Sequence, residues 1–195
     1  MLKNIFIAII LAVAFPEFAY SHTYTGMNGF YDGISHPVIG LDHFLAMISV
    51  GIISAQIGGR AIWSVPSTFV FIMLIGGILG IYFSGVDHKF IEYGIIISVI
   101  LLGLGIAVSK KLSILITMIF VGIFGFCHGT AHGLEMPNAA NPLYFALGFV
   151  TGTTILHLFG VGIGYYSIKT NLTSLLLRVT GTIFSIYGVY LIISF

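Results

Sequence analysis

The sequence predicts an all-α, polytopic membrane helix bundle of about six transmembrane helices, preceded by an N-terminal signal peptide. Composition comes first: 58% of the 195 residues are hydrophobic and 7% are charged, against roughly 25% charged in an ordinary soluble domain. The mean hydropathy of +1.11 agrees. Second, apolar runs near the ~20 residues that cross a bilayer follow one another with short breaks. Third, the first 21 residues have the layout of an export signal. No long polar stretch occurs, so residues 22–195 form a single transmembrane domain and leave no room for a soluble catalytic domain. The formal charge of +1 and the scattered Lys and Arg residues exclude a nucleic-acid partner. The single Cys127 makes no intramolecular disulfide.

In the signal segment, Lys3 supplies the positive start, residues 5–15 the apolar core and residues 16–21 the polar end, with Ala19 and Ser21 fitting the small-residue cleavage rule. Cleavage there leaves His22 as the first mature residue. The alternative is that residues 5–20 persist as an extra helix. After a polar, Gly-containing stretch from His22 to His36, helices are expected near 37–57, 62–83, 90–108, 112–132, 142–167 and 172–194. The breaks carry turn and charge signals: Gly58-Gly59-Arg60, residues 84–89, Ser109-Lys110-Lys111, residues 133–141 and Lys169-Thr170-Asn171. With the mature N-terminus outside, Arg60, Lys110, Lys111 and Lys169 face the cytoplasm with Arg178 nearby. Only Lys89 faces out, as the positive-inside rule requires. Asp32, Asp42, Asp87, Glu92 and Glu135 map to the outer side, a negative mouth for an approaching cation. The expected location is a bacterial inner membrane, with the lipid bilayer as solvent. Small-xxx-small glycine spacings at 76/80, 125/129, 129/133, 148/152 and 160/164 suit close helix packing in lipid. Gly40-Leu41-Asp42 and Gly133-Leu134-Glu135 are two short echoes that do not establish a repeat.

Two constellations carry the chemistry. The first is His36-Pro37-Val38-Ile39-Gly40-Leu41-Asp42-His43. Pro37 suits the first turn of a helix, which puts His36 at the mouth and Asp42 and His43 one to two turns inside. An ionisable group at that depth is costly in lipid and is expected to face the bundle interior. Met47 lies four residues after His43, as a soft ligand or as core filling. The second is Cys127-His128-Gly129-Thr130-Ala131-His132-Gly133-Leu134-Glu135. Its positions 128, 132 and 135 share one helical stripe, and paired His at i, i+4 chelates divalent metals from a single helix. The competing reading has both imidazoles hydrogen-bonded to neighbouring helices. His157, about fifteen residues into the fifth helix, is either a further station on an inward path or a buried histidine bonded to a neighbour. Glu92 suits the positive start of the third helix. The amine and imidazole of a mature His22 would form a bidentate chelate. Imidazole with a few carboxylates suits Ni, Co, Zn or Cu, whereas Mg²⁺ and Ca²⁺ prefer all-oxygen shells.

On these residues the chain resembles the HupE/UreJ family of hydrogenase and urease accessory permeases. The segments that carry the resemblance are His36-Pro37-x-x-Gly40-x-Asp42-His43 with Ala46-Met47 and Val50-Gly51, and Phe126-x-His128-Gly129-x-Ala131-His132-Gly133-x-Glu135. The resemblance implies six helices behind a signal peptide and transport of nickel, or cobalt in some members. It also implies that His36, Asp42, His43, His128 and His132 act on the metal, with Glu135 at the acidic end of the motif.

The expectation is a permease for Ni²⁺ or Co²⁺, with Zn²⁺ less favoured, no cofactor beyond the transported ion, and any oligomer or metalloenzyme-maturation partner unspecified. A membrane-embedded zinc hydrolase built on the same cluster is the alternative, because the same residues would hold a Zn²⁺ that activates water. A non-transporting sensor or assembly factor is the third reading.

Overall fold

The computed structural model describes residues 29–82, 85, 87–109, 112–136, 138 and 140–195. The expected signal peptide and His22 lie outside them. Seven helices follow in order: α1 Phe30–Ile39, α2 Leu41–Ile57, α3 Ala61–Tyr82, α4 His88–Val108, α5 Ile114–Leu134, α6 Pro142–Ser167 and α7 Asn171–Ser194. Helices α3 to α7 are each long and apolar enough to cross a membrane, and α1 with α2 forms a sixth span bent by 82°.

That bend corrects the expected single helix over 37–57. Helix begins seven residues earlier, at Phe30, and breaks at Gly40, whose ψ of 109° leaves the helical region. Pro37 is therefore in the last turn of α1, where its missing N–H withholds a bond from the Gly33 carbonyl and weakens the helix just before the break. Asp42 and His43 do not lie one to two turns down a straight helix; they occupy the first turn of α2. The third span also starts earlier than expected, at His88. Asp87 caps it by accepting from the Lys89 N–H at 2.9 Å, so Glu92 sits one turn inside and not at the helix start.

Packing pairs α3 with α5, α2 and α1 with α6, and α4 with α7. Glycine lets the backbones touch: a Cβ on Gly129 would collide with the Met73 carbonyl, and one on Gly148 with the Phe30 carbonyl. Close approach of this kind replaces the hydrophobic drive that lipid cannot supply between helices. Large apolar side chains such as Phe71, Phe90, Leu115 and Ile186 point outward. Polar ones such as Ser49, Ser54, Ser98, Thr153 and all three histidines of α5 and α6 are buried. At one end of the bundle lie exposed Trp63, Tyr165 and Tyr166, with the Lys169 ammonium over both tyrosine rings at 4.4 and 4.6 Å. Aromatic and cationic residues together mark a membrane interface. Arg60 and Arg178 belong to that same end. The opposite end holds every acidic residue among those described.

Candidate metal centre

The break at Gly40 brings the end of α1 and the start of α2 against the last turns of α5, at the acidic end of the bundle. A Cβ on Gly40 would lie 3.2 Å from Asp42 Oδ1 and 3.3 Å from His43 Nδ1, so a side chain there would crowd the pair it precedes. α5 runs unbroken to Leu134 and is closed by the Glu135 N–H bonding to the Ala131 carbonyl. The His128, His132 and Glu135 stripe is thereby carried to the site, as the spacing predicts.

His36, His43 and His132 each present a ligand atom, and the three atoms lie within 4.8 Å of one another. Each comes from a different helix. The ring centroids are 4.8 Å apart for His36 and His132, and 5.1 Å for His43 and His132. His132 is wholly buried, stacks on Phe149 with 6° between the planes, and has no hydrogen-bond partner on either nitrogen.

The remaining groups orient these imidazoles. Asp42 Oδ1 accepts from His43 Nδ1–H at 2.9 Å and from the His43 backbone N–H at 2.8 Å. The ring is held with its unpartnered Nε2 free. Glu135 Oε2 accepts from His36 Nε2–H at 2.8 Å, which leaves the lone pair on Nδ1. Burial pushes the Glu135 carboxyl up, but the hydrogen bond from His36 opposes this and the carboxyl is held below its usual range. A carboxylate behind a ligating imidazole fixes its tautomer and raises its basicity. Asp42 and Glu135 are thus one bond removed from the three-histidine group.

His128 lies one step deeper, with its ring centroid 4.9 Å from that of His43. Its Nδ1–H donates to the Phe124 carbonyl at 2.9 Å, so Nε2 carries a lone pair that meets no donor. Past His128 comes Phe69, 5.4 Å away, and beyond it His157, 5.1 Å from Phe69 with the rings perpendicular. Both nitrogens of the buried His157 are without partners. The imidazoles therefore form a file from His36 to His157, interrupted by one phenyl ring. Buried polar atoms are nearly always bonded, and among the described residues six of the nine that are not belong to histidines of this file. Met47 is fully buried in the apolar core. Phe69 and Phe149 complete the surroundings. Neither is legible as a site residue among 17 phenylalanines.

The family model described as "HupE / UreJ protein" matches residues 9–191. A relative named "Protein HupE", from Rhizobium leguminosarum bv. viciae, is 40% identical over 154 residues, which cover 79% of this chain and 80% of the relative. No solved structure matches the chain.

Proposed function

Because the chain belongs to the HupE/UreJ family, we propose that it is a permease that imports Ni²⁺ or Co²⁺ across the inner membrane from the acidic, outer end of the bundle. The observation that carries the reading is the group of three histidines from three helices, with ligand atoms within 4.8 Å and with His43 Nε2 and both His132 nitrogens meeting no protein partner. Imidazole is a suitable ligand for these borderline ions. The ion exchanges part of its water shell for His36, His43 and His132, with Asp42 and Glu135 directing two of the rings, and passes by His128 toward His157. Acidic side chains at the entrance raise the local cation concentration.

A zinc hydrolase built on the same cluster would need one closed site and no onward path. The file of imidazoles reaching His157, with unpartnered nitrogens on His43, His128, His132 and His157, favours transport. The membrane potential supplies about 4.6 kcal/mol per 100 mV for a divalent cation, twice the single-charge value.

Cells expressing the protein are expected to accumulate Ni²⁺ or Co²⁺ above control cells, and His132→Ala to bring uptake down to the control level. Uptake unchanged in that variant would remove the α5 pair from the mechanism.

A further inference from the structure

The helix pairs of this bundle repeat one another across its middle. Exchange α2 with α5, α3 with α6 and α4 with α7, and the α2–α6 interface takes the place of α3–α5 while α4–α7 maps onto itself. Between α2 and α6, a Cβ on Gly51 would strike the backbone of His157; between α5 and α3, a Cβ on Gly125 would strike the backbone of Phe69. In the same register Gly164 meets the Ile52 carbonyl, and Gly76 meets the Phe126 carbonyl. The α4 and α7 pair maps onto itself: Gly103 approaches the Gly181 carbonyl and Ser185 nitrogen, and Gly181 approaches the Gly103 carbonyl and Ala107 nitrogen. The equivalent position pairs Ile100/Ser185 and Arg178/Ala107 are both hydrogen-bonded, with an α7 side chain donating to an α4 carbonyl in each. Each half crosses the membrane three times, so the second starts on the side where the first ends.

We propose that α2–α4 and α5–α7 are inverted repeats about an axis in the membrane plane, and that the ion crosses as the two halves exchange conformations about that axis. The proposal rests on the transport reading. Inverted repeats with the substrate path at their interface, and one broken helix, are a recurrent design for alternating access. The repeat pairs Gly51 with Gly125 and leaves α1, with its His36, as an addition to the first half. For that reason the short motif echoes in the sequence do not reveal it.

The exchange also equates Phe69 with His157, the two rings in contact at the centre of the file. One helical turn toward the acidic end the residues level with this pair are Met73 and Thr153, whose hydroxyl points at the Met73 sulfur at 3.8 Å. One turn the other way they are Val65 and Val161. The acidic half is lined by groups that can touch an ion, and the other half by two valines. A cavity of about 300 Å³ between α3 and α6 is lined by His157 and Val161 together with the exposed Trp63, Phe71 and Leu158, so it opens sideways at the bundle surface. In this conformation Val65 and Thr153 are both inaccessible. The exchange opens one of them to water while closing the other.

Single cysteines at Thr153→Cys and Val65→Cys in a Cys127→Ala background, each first checked for Ni²⁺ uptake, test this. Their reaction rates with a water-soluble thiol reagent are measured with and without external Ni²⁺. The expected result is that Ni²⁺ shifts the two rates several-fold in opposite directions. Rates that stay fixed, or move together, in variants that still take up Ni²⁺ overturn the repeat mechanism while leaving transport intact. Absence of uptake in the unsubstituted protein overturns the transport reading itself. If either variant loses uptake, the equivalent pair Met73→Cys and Val161→Cys replaces it under the same criteria.

Discussion

Asp42 accepts both the ring and the backbone N–H of the residue that follows it. The sequence marks Asp42 and His43 as two ligands side by side, yet neighbouring side chains on a regular helix point about 100° apart and rarely meet. Only in the first turn after the Gly40 break can the carboxylate turn back onto its neighbour's imidazole. Asp42→Asn keeps the size but replaces an ionised acceptor, and uptake of Ni²⁺ is expected to fall 10 to 100-fold, the usual cost of removing a group behind a metal ligand. Glu135→Gln is expected to act the same way through His36, with a loss no larger, because Glu135 is the more exposed of the pair it forms. By contrast, His128 and His132 were legible from spacing alone, since i and i+4 share a helical face wherever the helix is regular. The phenyl rings were not. Phe149 supports His132 by stacking and Phe69 divides the file, but in an apolar chain such positions differ from ordinary core only through tertiary contact.

The element that most shapes the centre is the bend between α1 and α2. Hydropathy finds this span but cannot show its interruption, because Gly40 is as compatible with a lipid-buried helix as with a break. Pro37 reads equally as a helix start or as a weak last turn. What decides is tertiary: α1 lies along α6, with Gly33 against the Phe145 carbonyl and Gly148 against that of Phe30. Gly40→Ala adds about 1 kcal/mol of helix propensity and sets a methyl beside Asp42 and His43. Thermal stability in detergent is expected to hold or rise while Ni²⁺ uptake falls at least tenfold; unchanged uptake would mean that the bend does not set the ligand geometry. Gly129→Ala acts on a different element. Its Cβ would collide with the Met73 carbonyl where α3 and α5 are closest, and overpacking of this kind costs about 1–3 kcal/mol. A lowered midpoint of thermal unfolding in detergent is the expected reading.

At the scale of the whole molecule, charge and chemistry are polarised along one axis. The described acidic residues and the three-histidine group share one end, while Arg60, Lys169 and Arg178 with exposed Trp63, Tyr165 and Tyr166 mark the other. Span count and this polarity were legible in the sequence, since both follow from composition along the chain. The pairing of α3 with α5 and of α2 with α6 was not, because small-xxx-small spacing says that a helix packs closely and leaves open against which neighbour. The file from His36 to His157 depends on that pairing, and so does the claim that this protein moves an ion. Purified protein in liposomes, with Ni²⁺ outside and an inward-negative potential, tests that claim most directly. The account predicts Ni²⁺ accumulation that grows with the potential and is lost in His132→Ala; liposomes that bind the ion but never accumulate it would contradict it.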